Sequence, residues 1–160
     1  MSRIFISHSN EARNKLLTQA FCNWLDDEIG LGTYYVDYRH IPPGVEWDAE
    51  LLRGIKHCET VILLLSRAWF DSRECQRELD RAVDAGKQIV PVLLEPGLND
   101  DAKTFGLTKF QLCDLARAGQ AVNVRVDHDG GSEASVVQFH AQEALKLKQV
   151  LRQNELDASS

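Results

Sequence analysis

Apolar positions along this chain fall into two periods, and the alternation between them predicts the elements. Arg3-Ile4-Phe5-Ile6-Ser7 is a short apolar run and predicts a first strand. Over residues 11–28, Leu17, Phe21, Trp24 and Leu25 fall on one side of a helix, which Gly30 and Gly32 stop. Thr33-Tyr34-Tyr35-Val36 is rich in β-formers and predicts a second strand. Residues 37–44 form a loop, because Pro42-Pro43-Gly44 continues neither element. Trp47, Leu51, Ile55 and Cys58 then repeat at helical spacing. The run Thr60–Leu65 has no polar alternation, as expected of a central strand covered on both faces. A helix over 71–85, capped by Gly86, leads to a further buried strand over Gln88–Leu94. Residues 96–101 read as loop, 107–118 as helix, Ala121–Val126 as the fifth strand and 127–132 as a turn-rich link. The last helix spans 134–152, with Val137, Ala141, Ala144, Leu147 and Leu151 facing inward. Residues 153–160 read as a flexible tail or the start of a linker, so the domain is expected over 1–152.

Strands and helices thus alternate, which implies right-handed crossovers and a parallel sheet with helices on both faces. In such sheets ligands bind at the carboxyl ends of the strands. Those ends carry Ser7-His8-Ser9, Asp37-Tyr38-Arg39, Ser66-Arg67 and Glu95.

Composition narrows the classes. With 160 residues and 44% hydrophobic content, the chain suits one globular domain. The net charge is −6 and basic residues are scattered, which argues against direct nucleic-acid binding. No apolar run is long enough to span a membrane, and the start lacks a signal peptide's apolar stretch, so a cytoplasmic location is expected. Four cysteines form no C-x-x-C pair, and the histidines lack ligand spacing, so no metal site is expected. The Walker A, dinucleotide and nucleophile-elbow glycine motifs are all missing.

One charged residue stands out. On the helix predicted over 71–85, the apolar stripe is Cys75, Leu79, Ala82 and Val83, and Glu78 sits at its edge. The helix dipole contributes only about 0.3–1 kcal/mol to a carboxylate in the first turns. Burying the charge unpaired costs on the order of several kcal/mol. Glu78 must therefore open onto a wet cleft, find a buried partner, or lie on the surface paired with Arg77 or Arg81. Just ahead of it, Asp71-Ser72-Arg73-Glu74 reads like a capping box.

Three segments in register carry a resemblance. Phe5-Ile6-Ser7-His8-Ser9, then Asp37-Tyr38-Arg39-His40-Ile41-Pro42-Pro43-Gly44, then Ser66 followed by Ser72-x-x-Cys75-x-x-Glu78-Leu79 together resemble a TIR (Toll/interleukin receptor) domain, most of all the bacterial kind. The resemblance covers residues 3 to about 95 through these motifs and the last third by element order only. It implies a flavodoxin-like, three-layer α/β domain with a five-stranded parallel sheet. Many such domains cleave NAD at the nicotinamide–ribose bond in immune or anti-phage signalling, with NAD as substrate and no cofactor. The carry-over makes Glu78 the catalytic residue.

By the same resemblance the pocket lies between the loop after the first strand, the loop over 37–44 and the third helix. Ser7, His8 and Ser9 then line one wall, Arg39 faces the pyrophosphate and Trp47 offers a stacking surface. Each has a plainer reading: Ser7 and Ser9 as helix caps, Arg39 as a loop charge, Trp47 as core. NAD-cleaving members commonly carry Trp four residues before the catalytic Glu, where this chain has Glu74; Trp69 lies five residues ahead of Glu74 and is the candidate substitute on the nicotinamide wall. The loop with Asp37, Pro42, Pro43 and Gly44 is the expected self-association surface. Partners are then other TIR domains and a sensor domain or partner protein that triggers assembly. The alternative is a non-enzymatic TIR adaptor that signals by homotypic binding, in which Glu78 is a bystander.

Overall fold

The computed structural model describes residues 4–30, 34–36, 47–128 and 133–159. Strand β1 (Ile4–Ser7) leads through a short 3-10 turn into α1 (Lys15–Glu28), followed by β2 (Tyr34–Val36) and α2 (Trp47–Lys56). Strand β3 (Thr60–Leu65) is followed by two helices, α3 (Arg67–Asp71) and α4 (Arg73–Asp84). After β4 (Gln88–Leu93) come α5 (Asn99–Thr104), a 3-10 turn at Leu107–Lys109 and β5 (Cys113–Asp114). A hairpin, β6 (Ala121–Asp127) and β7 (Ala134–His140), then hands the chain to α6 (Ala141–Ser159).

The main sheet has the order β2-β1-β3-β4-β5, and every pairing in it is parallel. Strand β3 lies at its centre, which is why Thr60–Leu65 shows no polar alternation: all six residues are buried. Alternate residues serve opposite layers. Ile4, Ile6, Ile62, Leu64, Val90 and Val92 pack with α1, the hairpin and α6. Phe5, Val61, Leu63, Leu65, Ile89 and Leu93 pack with residues of α2 to α5. Pro91 is tolerated inside β4 for a definable reason. The N–H groups of Gln88 and Leu94 point at β3, so the N–H that Pro91 lacks lies on the β5 side. There β5 pairs only with Val92 and Leu93, and no ladder bond is lost.

The parallel α/β architecture agrees with the sequence reading, and four of its strands are those expected. The fifth differs. Ala121–Val126 does not join the sheet but pairs antiparallel with β7, and the edge position falls to the two-residue β5 inside the segment read as a helix over 107–118. Residues 134–140 are strand rather than helix, α6 begins at Ala141, and it continues through Ser159 where a tail was expected. The segment read as loop over 96–101 contains the start of α5. The helix expected over 71–85 is α4, and ahead of it stands a short helix not expected, α3; the extended backbone of Ser72 (φ −95°, ψ 116°) separates the two.

Candidate functional site

Glu78 lies on α4 beside Cys75, Leu79 and Ala82, on the face turned to the sheet. Only 2% of it is exposed, so the stripe-edge position is a buried one. Its partner comes from β1. The Ser7 hydroxyl donates to Glu78 Oε1 at 2.9 Å. Ser7 has the same parity on β1 as Phe5, so it points into the layer that holds α4. From α3 the Trp69 indole N–H donates to the same Ser7 oxygen at 3.0 Å. Ser7 and Trp69 are both 0% exposed.

Two serine caps set these helices. Ser66 Oγ accepts from the Trp69 N–H at 3.1 Å and starts α3, and Ser72 Oγ accepts from the Cys75 N–H at 3.2 Å and starts α4. The capping residue of α4 is thus Ser72, not Asp71, and the capping box read from the sequence is off by one position. Gln76 ties the break together by donating to the Phe70 carbonyl at 2.8 Å. The Trp69 ring packs edge-on against Phe70 and Phe105, with centroids 5.3 and 6.3 Å away.

At the same carboxyl edge of the sheet, Arg67 forms a two-pronged bond to Asp101 at 2.9 and 2.8 Å. That hydrogen-bonded pairing holds the Asp101 carboxyl below its ordinary range and raises the Arg67 guanidinium above its own. The pair is solvent-facing, so it fixes the start of α3 more than it stabilises the fold.

The residues proposed from the sequence separate into four groups. Ser7, Trp69 and Glu78 come together: Ser7 and Trp69 are fully buried and hydrogen-bonded to each other, and Glu78 is buried beside them. His8 and Ser9 line a cavity of about 250 Å³ with Lys15, Thr18 and Gln19 of α1, and Glu78 is not among its lining residues. His8 Nδ1 lies 3.1 Å from the Ser9 carbonyl, and Ser9 Oγ accepts from the Glu11 N–H, a local turn rather than a cap on α1. Glu74 is exposed in the first turn of α4. Trp47 opens α2, but its side chain lies outside the described residues, as do Arg39, Asp37, Pro42, Pro43 and Gly44. Among the described residues no group of His, Cys, Asp and Glu is placed to hold a metal, and no helix is long and apolar enough to cross a membrane.

A parallel sheet with helices on both faces, carrying a buried carboxylate held from its first strand, defines a flavodoxin-like α/β domain with a polar site at the carboxyl edge. The chain belongs to the TIR domain family, whose family model matches residues 4–126. The TIR domains of the activated Roq1 resistosome, which directly recognises the pathogen effector XopQ, are similar in structure: the TM-score is 0.51 at 16% identity, over 72% of this chain and 88% of that one. The TIR domain of the Toll-related receptor TRR-2 from Hydra magnipapillata matches with a TM-score of 0.49 at 17% identity, over 68% of this chain and 94% of that one. The CMP N-glycosidase BcmB from Clostridium botulinum matches with a TM-score of 0.46 at 17% identity, over 72% and 88%. No curated protein matches the sequence.

Proposed function

We propose that this TIR domain cleaves NAD at the nicotinamide–ribose bond, with Glu78 as its catalytic carboxylate. The observation that carries the reading is the motif glutamate itself: a carboxylate 2% exposed, kept in the interior by a hydroxyl donor from another element. An acidic group whose only task is solubility has no reason to be there, because its desolvation is costly.

The chemistry asks for one carboxylate. The C1′–N bond breaks heterolytically and its electron pair leaves with nicotinamide, which departs neutral because the ring was cationic in NAD. No general acid has to protonate it. The cation left on the ribose is oxocarbenium-like, and a nearby negative charge stabilises it in the transition state. Water then adds at C1′ and releases a proton, giving ADP-ribose; attack from within the same molecule gives a cyclic isomer.

Glu78 is closed off within a single chain, which suits a site opened or completed by self-association. In this reading the segment with Asp37, Pro42, Pro43 and Gly44 contacts a neighbouring copy, Arg39 meets the pyrophosphate, and Trp47 stacks. The proposed setting is cytoplasmic immune or anti-phage signalling, with a sensor domain or partner protein driving assembly. A second reading, a non-enzymatic adaptor, is favoured by one observation: the position four residues before Glu78 carries an exposed Glu74 instead of an aromatic ring.

Nicotinamide release separates the two. Glu78→Gln keeps the shape and the bond from Ser7 but removes the charge, so turnover of the assembled protein is expected to fall by about two to four orders of magnitude. Circular dichroism is expected to show the fold intact, since an amide is easier to desolvate than a carboxylate. A Glu78→Gln protein that turns over NAD like the wild type ends the catalytic assignment, and a wild type inactive in every assembled state moves the domain to the adaptor class.

A further inference from the structure

With Glu78 ionised, as the proposed chemistry requires, the three groups at the site form a hydrogen-bond chain with one direction. An indole N–H can donate and never accept. Trp69 therefore gives its proton to Ser7 Oγ, 3.0 Å away. The single proton of Ser7 is then directed at Glu78 Oε1, 2.9 Å away. The chain crosses three elements, α3, β1 and α4, and ends on the carboxylate.

We propose that Ser7 and Trp69 are positioning residues for Glu78: the indole N–H orients the serine hydroxyl, and the hydroxyl fixes one carboxylate oxygen so that the charge is already oriented when self-association opens the site to the ribose. The proposal rests on the reading of Glu78 as the carboxylate that stabilises the ribosyl cation. Its physical basis is preorganisation. A glutamate side chain has three rotatable bonds, and an electrostatic stabiliser acts fully only when it needs no reorganisation during the reaction. All three residues are excluded from water, with exposures of 0, 0 and 2%, so each bond is felt at low dielectric. Burying a hydroxyl and an indole N–H without partners is costly, so a site needing only bulk is better filled by apolar side chains.

The arrangement also accounts for Glu74. Aromatic support for the carboxylate arrives from α3, one short helix earlier, and it acts through the N–H of Trp69 rather than through the face of its ring. An exposed Glu74 therefore leaves Glu78 fully oriented.

The test is steady-state kinetics on NAD with assembled Ser7→Ala, Trp69→Phe and the double variant, each checked for native circular dichroism. Ser7→Ala is expected to lower kcat by about 10- to 100-fold, the range seen when a partner that orients a functional group is removed, with KM little changed. Trp69→Phe keeps a ring, loses the donor, and is expected to lower kcat by a smaller factor. Because Trp69 acts through Ser7, the double variant is expected to be no slower than Ser7→Ala alone. Raised KM at unchanged kcat makes these residues substrate contacts and overturns the proposal, and so do losses that simply multiply. Should Trp69→Phe fail to fold, Ser7→Ala decides by itself, since it removes one oxygen from a strand the sheet already holds. Ser7→Ala at wild-type kcat overturns the positioning role alone, whereas an inactive wild type overturns the reading of the site and the role with it.

Discussion

At the scale of single residues, the sequence names Glu78 but not what holds it. The helical stripe puts Glu78 at the edge of the buried face, and desolvation requires a partner. That partner, Ser7, is 71 positions away, and no local period reveals which strand residue faces which helix turn. Trp69 poses the same difficulty: an aromatic near the motif suggests a ring against substrate, while its burial against Phe70 and Phe105 leaves the N–H as its one polar function. All four cysteines are free and buried. Burial pushes the Cys113 thiol up to about 12, with the Glu143 charge adding to it, and pushes Cys58 up to about 11. In the unfolded chain a thiol titrates near about 8.5. Above that pH the unfolded state has lost protons that the native state still holds, so stability falls as pH rises toward the native values. For each thiol the slope approaches about 1.4 kcal/mol per pH unit. Cys113→Ala is therefore expected to flatten the decline of urea-unfolding free energy between pH 9 and about 11. Identical slopes for the two proteins would count against thiol burial as a cause.

At the scale of elements, the errors of the sequence reading are instructive because each has a mechanism. Residues 134–140 read as helix since Val137 happens to be in phase with Ala141, Ala144, Leu147 and Leu151, which do belong to α6. The true period there is two: Val137 and Phe139 are buried, while Val136 and Gln138 are exposed. Strand β5 is two residues long, too short for any periodicity, and owes its state to pairing with Val92 and Leu93. The break between α3 and α4 is set by hydrogen bonds rather than apolar pattern, and its signal is the serine pair Ser66 and Ser72, each able to cap a new start. Ser72→Ala is expected to cost about 1 kcal/mol, within the roughly 0.5–2 kcal/mol typical of losing an N-cap, and to speed amide exchange at Cys75. Urea melts and hydrogen exchange measure both, and unchanged exchange at Cys75 would show that the cap is idle.

At the scale of the whole molecule, the two faces of the sheet depend on different lengths of chain. The family match ends at residue 126, inside β6, yet the α1 face is finished by Val137, Phe139, Ala144, Leu147 and Leu151. The four larger of these represent roughly 6–12 kcal/mol of burial, comparable to the whole stability of a typical domain at about 5–15 kcal/mol. A chain cut after Val126 is therefore expected to lack a cooperative unfolding transition by calorimetry, and a sharp transition in that fragment would show that β7 and α6 are dispensable. The same asymmetry has a consequence for synthesis. The cluster on the Glu78 face closes at Leu107, whereas the opposite face waits for Leu151. At translation rates of about 5–20 residues per second, the apolar underside of the sheet stays bare for roughly two to nine seconds after the Glu78 face can pack. The nascent domain thus completes one face well before it can cover the other, and during that interval it is a natural client for a chaperone that shields apolar surface.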